Sequence, residues 1–163
     1  HKYARRCLIF TVRRIPWNRR IRLPKINTNM NKESLTTNNP ENILKKIDEW
    51  SFLNVSQEIC GFIGESEGKF TAFLCENKST TPRDSFTIDP LEYLLFLKSF
   101  KPVALFHSHV FGDEEESEKD VLMSENSCLP FFIYSLNTKK FNFYIPKKSV
   151  ADVIIVDKFK SIK

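Results

Sequence analysis

Histidine is scarce in this chain: there are three among 163 residues, one of them His1, so histidine-dependent chemistry rests on His107 and His109. The four cysteines (Cys7, Cys60, Cys75, Cys128) are widely spaced and form no C-x-x-C pair, which argues against a zinc knuckle and a disulfide framework. Such cysteine usage fits a reducing, cytoplasmic setting. No apolar run approaches the ~20 residues that span a bilayer, so a soluble protein without membrane contact is expected. No internal repeat appears either. At this length the expectation is one compact domain with a tail.

Acidic residues are missing from residues 1–29, which hold nine of the 25 Lys and Arg; the rest of the chain then carries 16 bases against 20 acids. The net charge of +5 therefore misleads. The folded part is mildly acidic, and nucleic-acid contact is expected only through the basic N-terminal arm. Residues 1–29, interrupted by Pro16 and Pro24, read as a basic arm or a non-native leader ahead of Met30, without fixed structure. An organellar targeting peptide and a polynucleotide-binding arm are the other readings. Residues 30–163 form the domain, with a core at about 41–146.

What the chain does contain is apolar and aromatic. Hydrophobic residues make up 41%, and the 15 phenylalanines exclude a chain disordered throughout. "NNPENILKKIDEW" predicts a helix capped by Asn39, with Pro40 at its first position and a stripe of Ile43, Leu44, Ile47 and Trp50. "QEICGFIGES" and "KFTAFLCEN" read as a hairpin turning at "ESEGK". "TPRDSFTIDP" is loop or edge strand, "LEYLLFLKSF" has the period of a buried helix, and "PVALFHSHV" is a buried strand. "SEKDVLMSENS" begins like a helix N-terminus, "PFFIYSL" and "KFNFYIP" pair around "NTKK", and "VADVIIVDKF" is strand or helix. Helices and hairpins so mixed predict an α/β fold with a mixed sheet.

The chemistry concentrates in "HSHVFGDEEESEKD". Residues i and i+2 of a strand share a face, so His107 and His109 present two imidazoles side by side. Two imidazoles and a carboxylate suit zinc, which in catalytic sites takes three protein ligands and leaves one position open. Asp120, in the first turn of the next helix, can supply the carboxylate. Each part has an ordinary explanation: a polar strand end, a helix cap, a solvated acidic run. Together, H-x-H-x7-S-x-x-D should arise by chance in a chain this long about once in a few thousand cases.

That motif, with a glutamate upstream, resembles the JAMM motif of the JAB/MPN zinc metallopeptidases, which include deubiquitinating isopeptidases and prokaryotic and phage members. "EICGFIG", "FTIDP" and "SCLPFFIYSL" extend the resemblance over roughly residues 41–146, most nearly in the manner of phage tail-assembly JAB domains. It implies a JAB/MPN-like domain with a curved mixed sheet flanked by helices. It also implies Zn2+ held by His107, His109 and Asp120, Glu58 as the general base that shuttles the proton of the attacking water, and Ser117 as a hydrogen-bond donor to the oxyanion. Glu58 otherwise reads as a strand-end surface charge. Val110 stands where the family commonly has proline, so the loop is expected to start less rigidly.

The expected activity is zinc-dependent hydrolysis of a peptide or isopeptide bond. A ubiquitin-like tail, a sulfur-carrier fusion, a phage tail protein or a peptidoglycan peptide could be the substrate. The alternative is a phage tail-assembly or scaffold protein that uses the fold for protein contacts around a non-catalytic metal. A zinc deaminase would need a P-C-x-x-C segment, which is missing. Cys60 reads as a packing residue.

Overall fold

The computed structural model describes residues 33–162; the expectations placed on residues 1–29 lie outside the described residues. Helix α1 (Pro40–Leu53) forms where its cap demands it: the Asn39 side chain accepts from the Glu41 backbone N–H at 3.0 Å, and Pro40 occupies the first turn. Ile43, Leu44, Ile47 and Trp50 are buried, and the Trp50 ring stacks on Phe106 with centroids 5.9 Å apart. Strands β2 (Cys60–Ser66) and β3 (Lys69–Cys75) make the expected hairpin. Both turn residues, Glu67 and Gly68, have left-handed backbone (φ 53° and 76°), as a two-residue loop requires to match the twist of its strands.

Strand β4 (Lys101–His109) lies antiparallel to β2 and parallel to β5 (Phe131–Ser135), which pairs with β6 (Phe141–Tyr144). A short β1 (Ser34–Thr37) adds to the far side of β3, giving a mixed, open sheet in the order β1-β3-β2-β4-β5-β6. On one face Ile63, Phe106 and Phe132 pack with α1 and with Val156 and Phe159 of α4 (Val153–Lys160). On the other, Phe62, Leu105, Phe131 and Ile133 pack with Phe86, Ile88, Leu129 and Phe96 of α2 (Pro90–Ser99). The architecture is α/β, with apolar cores on both faces of one sheet.

Three points differ from the sequence reading. Strand β1 is not foreseen, because four residues, "SLTT", are too few to show a period; its pairing comes from the open edge of β3. Helix α2 forms, but it is not a buried helix: only Phe96 is fully buried, while Leu91 and Leu94 are exposed, since the helix covers the sheet with one side only. The tail, undecided by periodicity, is a helix capped by Asp152, whose side chain accepts from the Ile154 N–H at 2.9 Å.

Gly61 shows why "CG" stands at the start of β2. A Cβ there would lie 1.9 Å from the Phe73 carbonyl oxygen and 2.4 Å from Cζ of Phe106, both fixed in the sheet and core. Gly61→Ala should therefore destabilise the fold by about 3 kcal/mol or more, the upper part of the range for overpacked cores. Urea unfolding measures it, and a loss below about 1 kcal/mol would show that the strands yield there.

Candidate metal centre

The strand pairings bring the start of β2 and the ends of β3, β4 and β5 to one end of the sheet: Cys60 pairs with both Cys75 and His107, and His107 pairs with Ile133. His107 is buried between Phe86 and Phe131, with ring centroids 4.6 and 5.6 Å away. His109, two residues on and at the same face, is half-buried, its ring centroid 5.2 Å from that of His107. Helix α3 (Glu118–Ser127) then points its first turn back at them. Ser117 caps it reciprocally: the Ser117 Oγ accepts from the Asp120 N–H at 3.1 Å, and the Ser117 N–H donates to Asp120 Oδ2 at 3.0 Å. The same serine and aspartate that start the helix thus fix the carboxylate beside the imidazoles.

Asp120 Oδ1 stands 3.0 Å from His107 Nε2, and Oδ2 stands 3.0 Å from His109 Nε2. One donor atom from each residue falls within 4.8 Å of the others. Two donors each about 2.0–2.1 Å from a tetrahedral zinc would be separated by about 3.3 Å, so the spacing is that of ligands sharing an ion. The hydrogen-bond pattern agrees. The His109 Nδ1 lies 2.7 Å from the Asp113 carbonyl, which can only accept, so Nδ1 carries the hydrogen and Nε2 turns its lone pair toward Asp120. Neither ring nitrogen of buried His107 has an aligned hydrogen-bond partner among the described residues. A cation at the convergence would meet the Nε2 atoms of both imidazoles and the carboxylate, leaving the buried His107 Nδ1 without a partner among the described residues.

Without a metal, protons do part of that work. Burial acts to lower His109, but its hydrogen bonds with Asp120 and the Asp113 carbonyl outweigh burial and raise its pKa. Burial holds His107 below its ordinary value despite the adjacent carboxylate. Burial would raise Asp120, but the two histidines and the Ser117 N–H hold it far below the usual carboxylate range.

Glu58 is not a strand-end surface charge. It is buried just before β2 and lines the same cavity, of about 310 Å³, as His109, Ser117 and Asp120. Burial, partly offset by His109, pushes its carboxyl up to about 7. The acidic run divides. Glu114 accepts from the Thr138 hydroxyl and Glu116 from the Asn142 side chain, each at 2.6 Å, tying the loop to the β5–β6 turn and to β6, whereas Asp113 and Glu115 line the cavity. The loop start, expected to be loose without proline, is held by the Leu136 N–H on the His109 carbonyl (3.1 Å) and by the Ser135 hydroxyl on the Gly112 carbonyl (2.8 Å).

Two residues absent from the sequence reading organise this site. Ser108, between the histidines, accepts the Ile59 N–H at 2.9 Å, locking the residue after Glu58 to β4. The Asn77 side chain donates to the carbonyls of Glu58 (2.9 Å), Pro82 (3.3 Å) and Ser85 (2.9 Å). A lone asparagine in "CENKST" carries no local signal of such contacts; only the "S" of "HSH" could have prompted the question.

No family model matches the chain, and no curated protein matches it. Among solved structures, the solution structure of protein DSY2949 from Desulfitobacterium hafniense is similar at 22% identity and a TM-score of 0.46, over 63% of this chain and 75% of that one. The site's own residues carry the functional reading.

Two outcomes follow from the geometry. Zinc should bind at one equivalent, release protons, and raise the unfolding free energy by about 2.7 kcal/mol at a hundredfold excess over Kd. Asp120→Ala should abolish that shift; titration calorimetry and thermal unfolding decide it. Glu58 gives a pH-dependent test in the metal-free protein. Its folded pKa of about 7 lies above its ordinary 4.5, so the folded state holds the proton longer. Stability therefore falls as pH rises from about 4.5 to 7 and levels off above. Glu58→Gln should remove this loss, making the variant more stable than wild type at pH 8 by about 3 kcal/mol at most. Equal stability of the two proteins at pH 8 would mean that the carboxylate is solvated there.

Proposed function

We propose that the protein is a metal-dependent amide hydrolase of the JAB/MPN kind, acting on a peptide or isopeptide bond, with zinc as its ion. The observation that supports this best is Glu58: a buried carboxyl, pushed up to about 7 in the metal-free protein, in the cavity that His109 and Asp120 of the donor set also line. A purely structural zinc is normally closed by four protein ligands and has no use for such a neighbour. When bound, the ion would supply Lewis acidity, polarising a carbonyl and making water acidic enough to attack at neutral pH.

The chain's own residues do the rest. Glu58, deprotonated, takes a proton from the attacking water and returns it to the departing nitrogen, and a base with a pKa near the working pH serves both transfers. The Ser117 Oγ accepts from the Asp120 N–H, which leaves its hydroxyl hydrogen to donate into the cavity, toward a carbonyl oxygen gaining charge. His109 is held in the donor tautomer by Asp113, and Phe86 and Phe131 keep water from the inner side of His107. The assembly reading, with a non-catalytic metal, draws on exposed Leu91 and Leu94 of α2 as a contact face. It gives Glu58 no role.

Glu58→Gln should retain one zinc while hydrolysis of a peptide or ubiquitin-like conjugate falls by about 10²- to 10⁴-fold. Ser117→Ala, which also loses the helix cap, should lower the rate by about 10²-fold or more while still binding metal. Rates are read with zinc content measured on the same samples. Turnover by Glu58→Gln equal to wild type would remove Glu58 from the mechanism.

A further inference from the structure

The cavity carries two cations that the hydrolytic chemistry does not use, Arg83 and Lys119. Among the described residues neither has an ion pair, although Asp84, Asp113 and Glu115 line the same cavity. Asp113 is partly engaged, its Oδ1 accepting the Glu115 N–H at 3.0 Å. Arg83 is also placed rather than loose. Its guanidinium lies over the Phe111 ring, 5.0 Å from the centroid, so it reaches from the 76–89 loop to the 110–117 loop on the opposite wall. Its own loop is pinned to the base: the Glu58 N–H donates to the Pro82 carbonyl at 2.7 Å, and Asn77 ties the Glu58, Pro82 and Ser85 carbonyls together. The Asn77 Oδ1 closes the clamp by accepting from the N–H groups of Ser79 (3.0 Å) and Thr87 (3.2 Å). The backbone of Arg83, next after Pro82, therefore holds a set position relative to Glu58, while its exposed side chain lies over the exposed Phe111 ring.

We infer that Arg83 is a specificity residue that grips a free carboxylate on the leaving side of the scissile amide, so that the substrates are peptides or isopeptides cut next to a chain-terminal carboxylate. This rests on the hydrolase reading above. A guanidinium stacked on an aromatic ring keeps its planar fork open, and the fork matches a carboxylate with two parallel hydrogen bonds. Cavity size agrees. About 310 Å³ is at the small end of small-ligand pockets, ~300–1,000 Å³, with room for roughly one or two residues beyond the bond. In the reaction the C–N bond breaks, the acyl carbon gains the water's OH, and the nitrogen gains its remaining hydrogen. The amino acid or short peptide released keeps the carboxylate held by Arg83, and Lys119 adds a second positive charge to that wall.

The test uses the zinc-loaded full chain and matched short peptides that differ only in ending as free acid or as amide. Wild type should favour the acid in kcat/KM by about ten- to a hundredfold, the worth of a charge-assisted hydrogen-bonded pair. In Arg83→Ala that ratio should fall to near one, with Arg83→Lys between, because lysine keeps the charge but not the fork. Phe111→Ala should also shrink the ratio by freeing the guanidinium. Binding of the same peptides to the metal-free protein, followed on the Arg83 side-chain NMR signal, supplies a second readout. Acid and amide cleaved equally well, or an acid preference that survives Arg83→Ala, would overturn the inference and leave the hydrolase reading standing. If neither peptide is cleaved, the hydrolase reading falls and takes the leaving-side assignment with it; selective binding of the acid would then leave Arg83 a carboxylate-binding residue only, and equal or no binding would overturn that as well.

Discussion

One nitrogen of each imidazole lies 3.0 Å from an oxygen of the Asp120 carboxylate, an approach that needs a proton or a cation between each pair of lone pairs. That electrostatic constraint organises one whole end of the molecule. The fold spends its local structure on enforcing the approach. β4 sets the two histidines on one face, the reciprocal cap at Ser117 fixes the carboxylate, and the Asp113 carbonyl decides which nitrogen of His109 faces it. The charged loop between them is tied to the neighbouring hairpin through Glu114, Glu116 and Ser135. A segment that looks like a solvated acidic run is therefore partly a strap, whose ends are a candidate metal ligand and a helix cap.

The donor set was legible in the sequence because its geometry is local. A strand's period of two and a helix cap's spacing of three are both short-range rules: one pairs His107 with His109 and the other sets Asp120 against Ser117, while the 110–116 loop brings the two together. Glu58 lies 49 residues before His107 and comes to the site through the pairing of Cys60 with His107 and the bonds between Ile59 and Ser108, contacts set by two strands choosing each other. Its motif could nominate it. Its burial, and the raised pKa that follows, could not be read from the chain, because desolvation depends on which loops close over a side chain.

The same distinction explains the fold. Helix α1 was readable from cap to stripe, since Asn39, Pro40 and the Ile43–Trp50 spacing repeat one message. Helix α2 was readable as a helix but not as a half-exposed one: seven apolar residues in "LEYLLFLKSF" exceed what one face of a sheet can cover, and sequence does not say which are left outside. Strand β1 has no message of its own and exists by virtue of its partner. Asn77 is the extreme case. Five hydrogen bonds meet on one amide in a loop without regular structure, and nothing in its neighbourhood marks it.

Holding a carboxyl in a buried pocket works against folding, because its charged form is poorly solvated there. The fold tolerates it only because neighbouring backbone is over-determined. On one side Ser108 and its own N–H bracket Ile59, and on the other Asn77 and the Pro82 carbonyl bracket Glu58. These bonds involve groups that strand ends usually leave to water, and they fix the backbone from which the buried Glu58 side chain projects. The strain of a desolvated acid and the rigidity of its surroundings are thus one feature seen twice. A surface glutamate at the same strand end would be more comfortable and, with an ordinary pKa near 4, a much weaker acceptor for a proton from water.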